Sequence, residues 1–230
     1  MTNSEQHVID LTNNYRHMKL KFLFIIFLLN NVLYAQEVAI LKYDGGGDWY
    51  ANPTAVLNLI KFCNENIGTK INEKPVTVEA SSIDVFNYPI IFMTGHGNVF
   101  FDETAIDNLK SYLTSGGFLH ISDNYGLDNY IRREIKKVFP NLEFQEIPYN
   151  HPIYHQTYDF ENGVPKIHEH KNNAPQAFGL FYEGELICFY DYESDLSDGW
   201  ETESAHNDPK EVREKALKMG ANIIEYAFTN

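Results

Sequence analysis

From residue 37 onward the hydrophobic positions follow two alternating rhythms. Short segments at 37–43, 76–79, 89–93 and 118–121, most of them largely apolar, read as strands. Between and after them, apolar residues recur three and four apart. Ala55, Val56, Leu59, Ile60, Cys63 and Ile67 stripe a first helix that Gly68 ends, with Asn52 as N-cap and Pro53 in the first turn. Ala105, Ile106, Leu109 and Leu113 stripe a second, stopped at Gly116-Gly117. Ile131, Ile135, Val138 and Phe139 mark a third, closed by Pro140. Such alternation predicts an α/β fold, a mostly parallel sheet flanked by helices on both faces. After residue 142 the pattern changes. The runs 178–182 and 186–190 flank Glu183-Gly184 and predict a C-terminal hairpin. A closing helix follows: Asp208 caps it, Pro209 starts it and Glu211 completes a capping-box pair. Its buried face is Val212, Ala216, Met219, Ile223 and Ala227.

The first 35 residues do not share these rhythms. Met18, Lys19 and Lys21 precede an apolar run at 22–29, and Val32-Leu33-Tyr34-Ala35 then offers a cleavage site before Gln36. Eight apolar residues make about 12 Å of helix, against roughly 30 Å for a membrane span. The segment therefore reads as a cleaved secretory signal, leaving no stable transmembrane segment. Residues 1–17 are polar and aperiodic, so Met18 reads as the true start, the alternative being a long n-region. The expected organisation is 1–35 as extension plus signal and 36–230 as one domain, periplasmic or secreted.

Composition narrows the partners. Asp and Glu number 32 against 18 Lys and Arg, a net charge of −14, which argues against nucleic acid or an anionic membrane surface. The partner expected instead is a small polar ligand or a cell-envelope protein. With 43% hydrophobic residues a sizeable core is available. Two cysteines, Cys63 and Cys188, build neither a disulfide-rich scaffold nor a four-cysteine zinc site. Both sit in apolar segments and are expected as buried free thiols on facing elements, with a bridge as the alternative.

Ligands of open α/β sheets bind beyond the carboxyl ends of the strands, and three segments fall there. Asp44-Gly45-Gly46-Gly47-Asp48-Trp49-Tyr50 follows the first strand. Its glycines permit close backbone approach, and its two aspartates favour a cation, a hydroxyl or an ammonium group over phosphate. The alternative is a tight turn with Asp caps. Thr94-Gly95-His96-Gly97 places His96 at a strand end as ligand or general base. Ser122-Asp123-Asn124-Tyr125-Gly126 is a strand-to-helix turn where a nucleophile elbow would put Ser or Cys; Asp123 and Asn124 occupy it here. Asp123 and His96 are the catalytic candidates. Asp44 to Tyr50, His96, Asn124 and Tyr125 are the ligand-binding ones. His168 and His170, if on a strand, share one face and suit a divalent metal. A third ligand would come from His96, His120, Asp191 or Asp195, and no cofactor is otherwise implied. Residues 191–195 and 198–200 are acid-rich, which polar looping explains as well as a cation does.

Several motifs in order, KYDGGGDWYANPTA (42–55), MTGHGNV (93–99), SGGFL (115–119), DNYG (123–126), HPIYH (151–155), PKIHEH (165–170), YESDLSDGW (192–200) and HNDPKEVREKALKMGANII (206–224), resemble the DUF4159 family over about 37–230. The resemblance implies the fold of class I glutamine amidotransferases and ThuA-like proteins, hence a flavodoxin-like sheet. The amidotransferase pattern requires Cys at the elbow, which this chain lacks. Three readings follow. One is a noncatalytic binding module of the cell envelope. Another is a metal-dependent hydrolase using His96, His168 and His170 with Asp123 or Asp44 as base. The last is a carbohydrate-binding or sugar-processing protein stacking Trp49, Tyr50, Tyr125 and Trp200 on sugar rings.

Overall fold

The structure is a computed structural model that describes residues 37–168 and 173–229. The signal-peptide and start-site expectations and His170 lie outside the described residues. The elements are β1 (Val38–Lys42), α1 (Ala55–Asn66), β2 (Val76–Glu79), β3 (Ile90–Gly95), α2 (Glu103–Thr114), β4 (Phe118–Asp123), α3 (Asp128–Val138), β5 (Gln145–Glu146), β6 (Gln176–Tyr182), β7 (Glu185–Tyr192), α4 (Leu196–Trp200), α5 (Glu203–His206) and α6 (Lys210–Thr229). Seven strands form one sheet in the order β2-β1-β3-β4-β7-β6-β5. The first five in that order run parallel, and β6 is antiparallel to both its neighbours. This mostly parallel, helix-flanked architecture is consistent with a flavodoxin-like fold.

The sheet separates two apolar layers because alternate residues point to opposite faces. Val38, Ile90, Phe92, Phe118 and Phe189 face α1, α4 and α6, meeting Leu59, Ile60, Trp200, Met219 and Ile223. Ala39, Leu41, Ile91, Met93, Leu119 and Ile121 face α2 and α3, meeting Leu109, Leu113, Ile131 and Ile135. Cys63 belongs to the first layer and Cys188 to the second, both buried and free. They lie on opposite faces of the sheet rather than on facing elements, so no bridge joins them.

Several boundaries move, each for a local reason. β3 and β4 each run two residues past their apolar runs, paired through Thr94↔Ser122 and Gly95↔Asp123, because a central ladder continues while its backbone partners do. Asp123 thus ends a strand instead of entering the turn. Asn52 is not the N-cap of α1; that position is Thr54, whose side chain makes no capping bond. Asn52 adopts φ 57°, in the left-handed region Asn tolerates, and sends its side chain elsewhere. The β6–β7 hairpin turns through Glu183 and Gly184 at φ 53° and 94°, the positive-φ pair of a tight two-residue turn. Strand β5 is two exposed residues and leaves no hydrophobic pattern to read. No helix among the described residues is long and apolar enough to cross a membrane.

Candidate functional site

The ends of β1, β3, β4 and β7, four consecutive strands of the sheet, carry the polar chemistry. Over β1 and β3 the two following loops are zipped together. Phe100 N–H donates to Asp44 O at 2.8 Å, Gly47 N–H to Asn98 O at 3.0 Å and Asp48 N–H to His96 O at 3.3 Å. Asn98 Nδ2 adds a bond to Gly45 O at 3.0 Å. A Cβ on Gly45 (φ 111°) would sit 2.8 Å from Phe100 N, and one on Gly47 would sit 2.7 Å from Asn98 O. These two glycines therefore serve chain-to-chain approach, and the Gly47 and Asp48 amides are spent on it rather than offered to an anion.

Asp48 reaches across the zipped loops to His96. Its carboxylate accepts from the His96 backbone N–H and, at 3.0 Å, from Nδ1. That bond leaves Nε2 without a hydrogen-bond partner among the described residues, on a side chain 53% exposed. Trp49 is half-buried and meets the exposed Tyr50 edge-to-face with centroids 5.5 Å apart. The Asp44 side chain is exposed beside this turn.

At the end of β4 the turn differs from a nucleophile elbow. Asp123 is buried; Oδ1 accepts from Leu127 N–H at 3.0 Å and Oδ2 from the Tyr190 hydroxyl at 3.4 Å. Burial pushes its carboxyl up to about 6, opposed by the Leu127 amide and reinforced by Asp128 and Asp191. Both oxygens thus face inward, fastening α3. The sharp backbone positions are Tyr125 and Gly126 at φ 71° and 102°, and the Tyr125 ring is 45% exposed. Asn124 is buried, its Oδ1 accepting from Ser197 Oγ at 3.1 Å and Asn52 Nδ2 at 3.3 Å.

Above β4 and β7 lies a continuous polar seam. His120 Nε2 bonds Asp191 Oδ2 at 2.7 Å, Asp191 Oδ1 accepts from Ser122 Oγ at 3.0 Å, and Ser197 N–H donates to Ser122 Oγ at 3.3 Å. His120 and Asp191 are both buried. Removing either partner would leave the other buried and unsatisfied, at a cost of about 1–3 kcal/mol, so the pair belongs to the framework of the sheet. Asn52 Nδ2 continues the seam to Ser197 Oγ and Asp198 Oδ1, each at 2.7 Å. Asp198 Oδ2 then meets His168 Nδ1 at 2.9 Å, and His168 Nε2 meets Asp208 Oδ1 at 2.8 Å. The His206 ring lies 5.0 Å from that of His168, its Nε2 4.0 Å from Asp198 Oδ2.

Electrostatics follow from this crowding of carboxylates. The Asp198 hydrogen bond raises His168 to about 9 against the opposing effect of burial, with Asp208 adding to the rise. Burial raises Asp195, with Asp198 and Asp191 adding, to about 8. Burial would raise Asp198 too, but the bond to His168, the His206 charge and the Asn52 amide outweigh it and hold the carboxyl below its usual range.

Of the expected metal set, His168 enters this cluster from an irregular segment, not a strand, while His96 is engaged with Asp48. Asp198, His206 and Asp208 were absent from that set. Asp208 is spent on His168, a role hidden because Asp-Pro before an apolar stripe reads as a helix start. Among the aromatic candidates, Trp200 is fully buried with Nε1 donating to Ala216 O at 2.9 Å, so it faces no sugar. Compared with known families, residues 37–228 match the model of a domain of unknown function, DUF4159. No curated protein matches the chain.

Proposed function

The chain belongs to the DUF4159 family, and on that premise we propose that it is an exported, noncatalytic amidotransferase-like module that binds a small polar ligand at its strand ends. The observation that carries this reading is the β4–α3 turn. Acyl transfer from glutamine needs an activated thiol there, and the turn holds Asn124, Tyr125 and Gly126 with Asp123 folded inward. Both cysteines are buried; desolvation pushes Cys63 up to about 12 and Cys188 upward as well, so neither supplies a thiolate. On the loops that follow β1, β3 and β4, the half-exposed Asp48–His96 pair and the side chains of Tyr50 (66% exposed) and Tyr125 reach solvent. Carboxylate, imidazole and aromatic faces together suit a neutral polyhydroxylated or cationic ligand. The two exposed tyrosine rings favour a sugar as the second reading.

The test has two arms. Incubation with L-glutamine should release no ammonia above the blank. Ligand-observed NMR with N-acetylglucosamine and L-glutamine as probes should show contact that Tyr125→Ala removes. Ammonia release lost on Tyr125→Phe would make the protein an enzyme, and probe contact unchanged by Tyr125→Ala would move the ligand away from this turn.

A further inference from the structure

Beyond the strand-end ligand, we infer that His168, Asp198 and His206 form a binding site for one divalent transition-metal ion, zinc or a similar borderline cation. One ligand atom from each of the three lies within 4.8 Å of the others, a spread that an ion at ordinary Zn–N and Zn–O distances of about 2.0–2.2 Å spans with small side-chain adjustments. The three come from separate parts of the chain, a loop, α4 and α5, so nothing in local helix or strand geometry requires them to meet.

A second, independent observation is how the ligands are held from behind. Asp208 takes the Nε2 side of His168 at 2.8 Å, which fixes the ring and leaves Nδ1 directed at Asp198. That is the carboxylate–histidine arrangement by which metal sites set the tautomer of a ligating imidazole. Asp198 is held in the same fashion: Asn52 Nδ2 takes Oδ1 at 2.7 Å and leaves Oδ2 facing the two imidazoles. Asp198 is buried, and among the described residues the ion-pair partners of Asp198 and Asp208 are imidazoles. A buried carboxylate oxygen flanked by two imidazoles is the mixed oxygen–nitrogen donor set that zinc takes. Three protein ligands leave coordination positions open to water or an oxygen-donor molecule, as in sites that bind ligands rather than closed structural ones.

The inference does not depend on the ligand reading above. A titration with Zn2+ alone reads the metal, whereas the NMR probes run in chelator read the strand-end ligand, so either can fail while the other holds. The protein, purified without an affinity tag and stripped with chelator, is titrated with Zn2+ and, for its visible absorption, with Co2+. Expected is one ion per chain, with Co2+ bands showing nitrogen ligation. His206→Ala, which breaks no hydrogen bond drawn above, should weaken Zn2+ by about 100-fold, and Asp208→Asn, acting from behind, by about 10-fold. His155→Ala removes a separate surface imidazole paired with Asp159 at 3.1 Å and should change nothing. No uptake of Zn2+, or uptake equal in His206→Ala, Asp208→Asn and the parent, overturns the site and leaves His168 as a salt-bridged clasp between α4 and the start of α6.

Discussion

The loops over β1 and β3 and the cluster over β7 are built in opposite ways. In the first, backbone joins backbone: Asp44 bridges Phe100, Gly47 bonds Asn98, and two glycines let the chains touch. In the second, side chains do the joining, from Asn52 through Asp198 and His168 to Asp208. The glycine loop has the look of a ligand cradle, yet its amides are consumed in closing it. The acidic stretch has the look of solvated loop, yet Asp191, Asp195 and Asp198 are all buried. Glycines report that two chains pass close. Carboxylates buried and bonded to imidazoles, as Asp191 is to His120 and Asp198 to His168, report a polar centre inside the fold.

The largest effect expected tests the closed loops. Gly95 has φ 139°, and a Cβ there would run into the Tyr43 hydroxyl, which itself donates to Thr94 O at 3.1 Å. Gly95→Ala should therefore cost about 3 kcal/mol of stability in urea unfolding, strain and overlap acting together. A loss below about 1 kcal/mol would show that the zipped loops part easily.

The turn between the two regions gives a pH signature. Asp123 ordinarily titrates near 3.8 and is raised to about 6 in the fold, facing Leu127 N–H, Tyr190, Asp128 and Asp191. The native state thus keeps a proton that the unfolded chain loses. Its stabilising effect is full below pH 4 and disappears as pH rises through 6. Asp123→Asn should gain on the parent across that window by up to about 3 kcal/mol, read as the difference between their urea midpoints at pH 4.5 and 7. A constant difference would mean that Asp123 is not the group titrating.

The smallest effect belongs to the exposed pair. His96→Ala should change stability by less than about 0.5 kcal/mol, since half-exposed ion pairs contribute little. A loss of several times that would make the Asp48–His96 bridge a lock on the loops and weaken its role in ligand contact.

Much of the fold was legible because it is local. Strand β2 occupies the expected 76–79 residue for residue, and Glu183-Gly184 marks the hairpin. The ends of β3 and β4 were not, because Thr94, Gly95, Ser122 and Asp123 are held by ladder partners that no hydrophobic rhythm records. The site was half legible for a related reason. His96 and Tyr125 stand beside glycines at strand ends, a signal contained within a few residues. His168 and Asp198 meet across 30 positions and His168 and Asp208 across 40, and no spacing rule reaches that far. Asn52 was visible only as a helix cap, the commonest use of Asn before Pro.

The chain's two tryptophans fall one to each of the contrasted regions. Trp200, two positions from Asp198, is sealed in the core with its indole N–H bonded to Ala216 O, and a Cβ on Gly220 would come within 2.8 Å of its ring. Trp49, beside Asp48, is half open to solvent. The molecule therefore carries its own pair of optical reporters, a blue emitter under the His/Asp cluster and a redder one on the zipped loops. Single-tryptophan variants would let fluorescence say which region a titrated ion or sugar has reached.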